Sequence, residues 1–326
     1  MDSFGWAYIG CGSIAQTTAK ELMQTDDQKI VAVWNRTRSK AEDFVDKYGG
    51  VVYDSAEEAI NGAGVEGVYV KVNGDKHAEY TNLAIKNGKA VLCEKPFAMN
   101  KIVTKEVFDY AEAQDVYVSE AMWTWHNDTA LKVKEWVKSG VIGKPIAVNC
   151  TFAVPLLEES SNPRLTTASM LGGALLDLGV YTVRYCYELF GLPETIHCEG
   201  VVKKVDYSET ITFQYSDYKA HLFISMTEDA GHYFEIKGTQ GTIYAPNFHA
   251  AKHANLKVDG RQEVFETNDL LYAKQFINVA KDIRLGRKES EKVTAQSTID
   301  VMGLLDECRR QMELVYPEEK RSDKRK

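Results

Sequence analysis

Two patterns of apolar residues alternate along the first 120 or so residues. Short apolar runs, as in buried strands, alternate with segments in which apolar residues recur every three or four positions, as on one face of a helix. The predicted strands cover 5–9, 29–34, 51–53, 67–72, 90–93 and 116–120. Strands and helices that alternate in this way predict right-handed β-α-β units and a doubly wound parallel sheet.

Local signals mark where these helices begin and where ligands should bind. Ser39 with Glu42, and Ser55 with Glu58, have the spacing of a capping box, and Asn100 is placed to cap the next predicted helix. Ligands of a doubly wound sheet bind beyond the carboxyl ends of its strands. Candidate chemistry is therefore expected in five loops: 10–15, 35–39, 73–77, 94–97 and 121–127.

The pattern changes from residue 122 onward. After a predicted helix at 128–139, strictly alternating segments separated by short turns predict a large, mostly antiparallel sheet. Its predicted strands cover 145–154, 194–203, 209–215, 219–226, 233–237, 241–245, 255–258 and 262–267, with helices at 171–190, 269–286 and 294–314. We therefore predict an α/β protein with two domains, 1–121 and 122–326.

Composition narrows the classes of partner. A net charge of −8 disfavours nucleic acid and anionic membranes, and no apolar run approaches the length of a membrane span. The six cysteines include no C-x-x-C pair, and the histidines show no metal-ligand spacing. We expect a cytoplasmic protein without a catalytic metal, whose basic tail at 320–326 is a solvated terminus.

The loop between the first strand and the first helix carries the strongest single motif. Gly10, Gly12 and Ala15 form a G-x-G-x-x-A pattern in the strand-to-helix context that dinucleotide binding requires. Gly10 would permit the tight turn, and Gly12 would let the pyrophosphate approach the backbone. Ser13 and Ile14 begin the helix, whose free N–H groups attract phosphate. The alternative is an ordinary strand-to-helix turn.

The end of the second strand bears on the choice between NAD and NADP. Folds that prefer NAD usually carry a carboxylate there to hold the ribose hydroxyls. This chain instead has Asn35, Arg36, Thr37, Arg38 and Ser39, which offer two guanidiniums to a 2′-phosphate. The sequence therefore favours NADP, with NAD possible and a solvated basic loop as the alternative.

Three segments together resemble the Gfo/Idh/MocA oxidoreductase family over essentially the whole chain. They are the loop at 10–15, Glu94-Lys95-Pro96 after the fifth strand, and the run from Gly172 to Tyr181. The resemblance implies a Rossmann domain, then an α/β domain with an open-faced sheet through which homodimers or larger homo-oligomers form. Tyr181 stands where many members of the family have histidine. A tyrosine at this position is similar to the branch that contains dihydrodiol dehydrogenase and glucose–fructose oxidoreductase.

The resemblance also implies three catalytic roles. Oxidation of an alcohol needs a base to take the hydroxyl proton. A tyrosine with a pKa of about 10 is a poor base unless a cation stabilises its phenolate. Tyr181 would be the general acid/base, Lys95 its electrostatic partner, and Asp177 would orient substrate hydroxyls or Lys95. The alternatives are an exposed Lys95, a core aromatic at Tyr181 and a local pairing of Asp177.

Further residues near the dinucleotide follow from the same resemblance. Glu94 would contact the ribose, with a solvated carboxylate as the alternative. Asn73 and His77 would serve the nucleotide loop, with a local structural role as the alternative for His77. Trp123 would wall the nicotinamide or lie in a buried aromatic seam. Two segments depart from the family pattern. Lys71-Val72 stands where Thr-Pro is usual, and the residues after Thr124 replace an Arg-Phe type continuation.

The predicted activity is hydride transfer between NADP and a small molecule. The substrate would be a secondary alcohol or carbonyl of a sugar, polyol or cyclic diol. One alternative is a nucleotide-sensing binding protein without turnover. Another is an enzyme that holds NAD tightly and uses it transiently.

Overall fold

The computed structural model describes residues 3–160, 162–317 and 319, so the basic tail lies outside the described residues. Two compact units are present. The first contains the residues up to His126 together with Leu270–Ile299, and the second contains Asn127–Asp269 and the residues from Asp300 onward.

The first unit is built on a six-stranded parallel sheet in the order β3-β2-β1-β4-β5-β6. Every predicted strand of this region is present, which confirms the doubly wound parallel fold. The strands are β1 (Phe4–Ile9), β2 (Gln28–Trp34), β3 (Val51–Val52), β4 (Gly67–Val70), β5 (Ala90–Glu94) and β6 (Val118–Ala121). The helices are α1 (Ser13–Leu22), α2 (Arg38–Tyr48), α3 (Ala56–Ile60), α4 (His77–Lys86) and α5 (Lys101–Ala113).

Two of the three predicted helix caps are present. Ser55 and Glu58 form a reciprocal capping box at α3, and the Asn100 side chain accepts a hydrogen bond from the N–H of Val103 at 2.9 Å. The predicted box at Ser39 is wrong, because α2 begins at Arg38 with Thr37 at the cap position, so Ser39 lies inside the helix. Glu42, which would complete that box, instead accepts a hydrogen bond from Nε of Arg38 at 2.8 Å.

The second unit is built on an eight-stranded sheet in the order β14-β13-β12-β11-β7-β10-β9-β8. All its neighbouring strands are antiparallel except β7 and β10, so the predicted mostly antiparallel sheet is confirmed. The strands are β7 (Pro145–Ala153), β8 (Thr195–Val202), β9 (Asp206–Gln214), β10 (Lys219–Ser225), β11 (Gly231–Gly238), β12 (Gly241–Pro246), β13 (His253–Val258) and β14 (Arg261–Glu266). The helices are α6 (Asp128–Ser139), α7 (Leu156–Glu159) and α8 (Val180–Phe190).

The helix predicted at 171–190 begins later than expected. Leu171 has a φ of 55° and Gly173 a φ of 119°, both in the left-handed region that an α-helix cannot contain. A Cβ at residue 173 would also collide with the carboxylate of Asp206. The helix therefore starts only after Gly173. Its first part is a π-helical segment, Leu175–Gly179, which precedes α8.

The last two helices, α9 (Ala273–Arg284) and α10 (Ala295–Gln311), alter the predicted domain boundary. Phe276 of α9 packs against Trp6, Tyr8 and Tyr69 of the first unit, with ring centroids 4.9–6.1 Å apart. The predicted division at 121/122 thus differs from the observed one at 126/127, and 270–299 returns to the first unit. Burial of this apolar face of α9 is the physical reason.

Candidate active site

The glycine loop has a tight turn followed by open space. Gly10 has a φ of 105°, and a Cβ there would collide with the Lys71 carbonyl of the neighbouring strand. Gly12 precedes α1 with an ordinary φ of −70°, and a Cβ there would meet nothing within 4 Å. No side chain among the described residues caps the first turn of α1, where Ser13 and Ile14 stand. Ala15 is fully buried against the sheet.

Asn35 joins this loop to the loop that follows β2. Its Oδ1 accepts a hydrogen bond from the N–H of Cys11 at 3.1 Å, and its Nδ2 donates to the carbonyl of Thr37 at 2.9 Å. The amide therefore fixes the two loops that were predicted to hold the dinucleotide.

The two arginines of this second loop have different surroundings. Arg38 forms ion pairs with Glu42 and Asp54, whereas Arg36 is exposed and has no such ion pair in the described part of the chain. Arg36 can therefore turn towards an anion without giving up an existing partner. Thr37 precedes α2 in extended conformation.

Glu94 lies buried at the carboxyl end of β5, with 2% of its surface exposed. The Tyr69 hydroxyl donates a hydrogen bond to its Oε1 at 2.6 Å. Burial raises the pKa of the carboxyl, while the charges of Lys71 and Lys95 and the Tyr69 hydrogen bond oppose that rise. Lys71 and Lys95 thus act electrostatically on Glu94 at the edge where the ligand was predicted.

Lys71 lies at the same edge, and no role was predicted for it from the sequence. It lies directly after β4, and its charge acts on both Glu94 and His77. Its departure from the family pattern was the only sequence signal that pointed to it.

His77 holds two loops together. Its Nδ1 lies 2.8 Å from the Pro96 carbonyl oxygen and its Nε2 lies 3.3 Å from that of Val72. The ring is buried, and burial lowers its pKa to about 4, so it is neutral and donates one proton to one of these carbonyls. This geometry supports the local structural role of His77, while its contact with a nucleotide stays a prediction. Asn73 precedes the short 3₁₀ turn Gly74–Lys76.

The segment after β6 is packed inside the first unit. Trp123 is 2% exposed, and its ring lies 4.4 Å from that of Tyr272. Trp125 and His126 are also buried, and Nδ1 of His126 lies 3.2 Å from Nδ2 of Asn278. The role of Trp123 beside the nicotinamide stays a prediction.

Asp177 and Tyr181 lie in the second unit, on the π-helical segment and the first turn of α8. Nη2 of Arg164 donates a hydrogen bond to Oδ2 of Asp177 at 3.0 Å. Tyr181 is 6% exposed, and its ring packs against Phe152 at 6.1 Å and His249 at 5.1 Å. The phenol ring is therefore held on the side that faces the sheet.

His249 belongs to a pair that the sequence reasoning missed. Its Nδ1 lies 2.8 Å from Nε2 of His232, and 17 positions separate the two residues along the chain. No spacing rule connects them, since the β11–β12 hairpin brings them together.

The described residues contain no group of three or more His, Cys, Asp or Glu side chains arranged to hold a metal ion. Within the same part of the chain, no helix combines the length and apolar character needed to cross a bilayer.

Known proteins resemble the chain along most of its length. A model described as the oxidoreductase family with an NAD-binding Rossmann fold matches residues 4–122, and the GFO/IDH/MocA C-terminal domain matches 130–244. Trans-1,2-dihydrobenzene-1,2-diol dehydrogenase of Danio rerio is 28% identical, over 96% of this chain and 98% of that protein. A scyllo-inositol 2-dehydrogenase (NADP(+)) of Bacillus subtilis (strain 168) is also 28% identical, with the same coverage of both chains.

Solved structures share the fold at lower identity. The 3-ketoreductase KijD10 of Actinomadura kijaniata, crystallised with NADP and TDP-benzene, has a TM-score of 0.84 and 21% identity. The match covers 95% of this chain and 98% of that one. An aldose-aldose oxidoreductase of Caulobacter crescentus has a TM-score of 0.86 and 16% identity, with the same coverage.

Proposed function

Because the chain belongs to the Gfo/Idh/MocA oxidoreductase family, we propose that it is an NADP-preferring dehydrogenase or reductase of small hydroxylated molecules. Its substrate is a secondary alcohol or carbonyl on a sugar, polyol or cyclic diol. The observation that carries the proposal is the open space at Gly12, at the start of a helix whose first turn no described side chain caps. The relatives named for diols, for an inositol and for NADP support the substrate class and the cofactor.

The described residues fit a dinucleotide. Gly12 and the first turn of α1 would hold the pyrophosphate, since both offer backbone N–H groups and partial positive charge. Asn35 fixes the neighbouring loop, and the exposed Arg36 would pair with a 2′-phosphate. When bound, the nicotinamide supplies or takes the hydride.

Replacing Gly12 with alanine is expected to weaken dinucleotide binding by at least about tenfold, or about 1.4 kcal/mol, without changing the thermal midpoint. The backbone at Gly12 suits alanine, but the added methyl group fills the open space. Fluorescence titration and thermal unfolding measure the two effects. Gly10→Ala is the contrasting variant and should lose stability, because its φ is positive and its Cβ collides. Undiminished affinity in Gly12→Ala would place the pyrophosphate elsewhere.

Replacing Arg36 with alanine is expected to weaken NADP binding by about ten- to a hundredfold and to leave NAD binding nearly unchanged. A charged hydrogen bond to phosphate contributes about 1.5–3 kcal/mol, and only NADP carries the 2′-phosphate. Arg38→Ala is the matched control and should have a smaller effect, because Glu42 and Asp54 already engage that guanidinium. Equal losses for both dinucleotides in Arg36→Ala would refute the assignment.

Three side chains perform the remaining chemistry in this proposal. In its phenolate form Tyr181 takes the proton of the substrate hydroxyl during oxidation, and in its phenol form it gives a proton to the substrate oxygen during reduction. The Lys95 ammonium donates a hydrogen bond to the substrate oxygen and stabilises negative charge on it. Asp177, which accepts a hydrogen bond from Arg164, also accepts hydrogen bonds from substrate hydroxyls and so orients the reacting carbon.

A panel of sugars, inositols and cyclic diols, together with the matching carbonyl compounds, tests this function with each of NAD(H) and NADP(H). We expect turnover with at least one substrate class and faster turnover with NADP(H). Dinucleotide binding without any turnover would indicate the sensor alternative. Release of dinucleotide only on denaturation of the purified protein would indicate a tightly held, transiently used NAD.

We also propose that the protein acts in the cytoplasm as a homo-oligomer joined through its sheet. All six cysteines are buried free thiols, which suits a reducing compartment. Val201, Tyr244 and Val264 are exposed large apolar side chains on strands of the second unit's sheet. In the proposed homo-oligomer, a second copy would cover these side chains together with the rest of the sheet face.

A further inference from the structure

A hydrogen-bonded pair of histidines lies against Tyr181 in the second unit. His232 is on β11, and His249 is in the short 3₁₀ turn Phe248–Ala250 after β12. Nδ1 of His249 lies 2.8 Å from Nε2 of His232, and the His249 ring meets the Tyr181 ring edge to face at 5.1 Å. Of the two imidazoles, His249 is the one in ring contact with Tyr181.

The pair is held by the backbone and by aromatic neighbours, which include Phe152 and Phe248. His232 is paired across the sheet with Phe152 and stacks on its ring at 3.8 Å. The N–H of Asn247 donates to the His232 carbonyl at 2.7 Å, and Asn247 has a φ of 49°, which turns the chain back towards β11. Both imidazoles are therefore fixed before any ligand arrives.

The hydrogen bond between the rings accounts for the presence of histidine at both positions. Each neutral imidazole carries one N–H, so one ring donates and the other accepts. Burial lowers the pKa of His232 to about 4, so that ring is neutral near pH 7. A phenylalanine at either position could fill the same half-buried space without the cost of burying nitrogen atoms. It could not form the hydrogen bond that fixes the orientation of the other ring.

We propose that His249 is a positioning residue for Tyr181, and that His232 sets the orientation of the His249 ring. The proposal rests on the proposed function, since it concerns the group assigned as the general acid/base. Phe152 of β7 contacts the rings of His232, His249 and Tyr181, and the hydrogen bond with His232 adds a second support for the His249 ring that contacts the phenol. Displacement of a reacting group by about 1 Å can reduce a rate by about 10²-fold, so this support should act on turnover.

Three variants and one control test the pair. His249→Ala and His232→Ala should each lower kcat at least about tenfold, with the KM for NADP(H) within about twofold of the parent. His232→Gln, whose side-chain amide can replace Nε2, should recover most of the parent kcat. His221→Ala is the control: His221 is an exposed histidine on the same sheet, near the Thr212 hydroxyl, and its loss should have no effect.

A second readout does not depend on turnover. In protein labelled with 3-fluorotyrosine, the ¹⁹F resonance of Tyr181 can be assigned by its loss in Tyr181→Phe. It should shift or broaden in His249→Ala and His232→Ala, and should match the parent in His232→Gln and His221→Ala. An unchanged resonance in His249→Ala, or parent kcat in both alanine variants, would overturn the proposal. A parent without turnover on any substrate would refute the proposed function, and the ¹⁹F spectra would still decide the role of the pair.

Discussion

Replacing Lys95 with methionine is expected to lower turnover by about 10²–10³-fold or more while dinucleotide affinity stays within several-fold. Methionine keeps an unbranched apolar stem and removes only the ammonium group, which is assigned to the substrate oxygen. Lys95 follows β5 directly, and its charge acts on the buried Glu94 at the edge of the sheet where ligands of this fold bind.

Steady-state kinetics and a fluorescence titration with NADPH measure the two halves of this prediction. Lys86→Met is the matched control, since Lys86 is an exposed lysine at the end of α4 in the same unit. It should have parent activity. Full activity in Lys95→Met would remove Lys95 from the mechanism, and a parallel loss of dinucleotide binding would make it a cofactor ligand instead.

Replacing Tyr181 with phenylalanine is expected to lower turnover by about 10²-fold or more, because the acid/base hydroxyl is lost. Phenylalanine retains the ring that packs on His249 and Phe152, so the unfolding midpoint should stay close to that of the parent. Single-turnover measurements with saturating NADPH would show the loss in the hydride-transfer step itself.

Tyr185→Phe is the control for that variant. Tyr185 lies one turn further along α8, is fully buried and packs against Phe234 and Phe248. It belongs to the core, so its hydroxyl should contribute nothing to turnover. Equal activity in Tyr181→Phe and Tyr185→Phe would contradict the acid/base assignment.

The fold of the first unit could be predicted because its signals are local. Buried strands such as β1 and β4 are continuous apolar runs, and the caps at Ser55 and Asn100 depend on residues at most three positions apart. The parallel direction of the strands follows from their alternation with helices, and the glycine loop follows from the strand-to-helix context of the motif.

The features that the sequence did not predict depend on long-range contacts. Phe276 returns to the first unit because it packs on Trp6 and Tyr8, which lie far away along the chain. The late start of α8 reflects the approach of Asp206 to Gly173. No local sequence pattern predicts either contact.

The candidate site shows the same division. The glycines were predicted from a motif, and the space at Gly12 supports their proposed role. The difference between Arg36 and Arg38 was not predictable, because it depends on Asp54 in a later loop. Neither was the contact of His249 with Tyr181, which requires the β11–β12 hairpin and α8 to be in place.

Transfer of deuterium from NADPH labelled at C4 tests the central claim most directly. With a carbonyl substrate from the panel, the proposed activity predicts an alcohol with one deuterium on the carbinol carbon, from one face of the nicotinamide only. Lys95→Met and Tyr181→Phe should form this product far more slowly. If labelled NADPH binds and no carbonyl of the panel gains deuterium, the chain is not the oxidoreductase proposed for it.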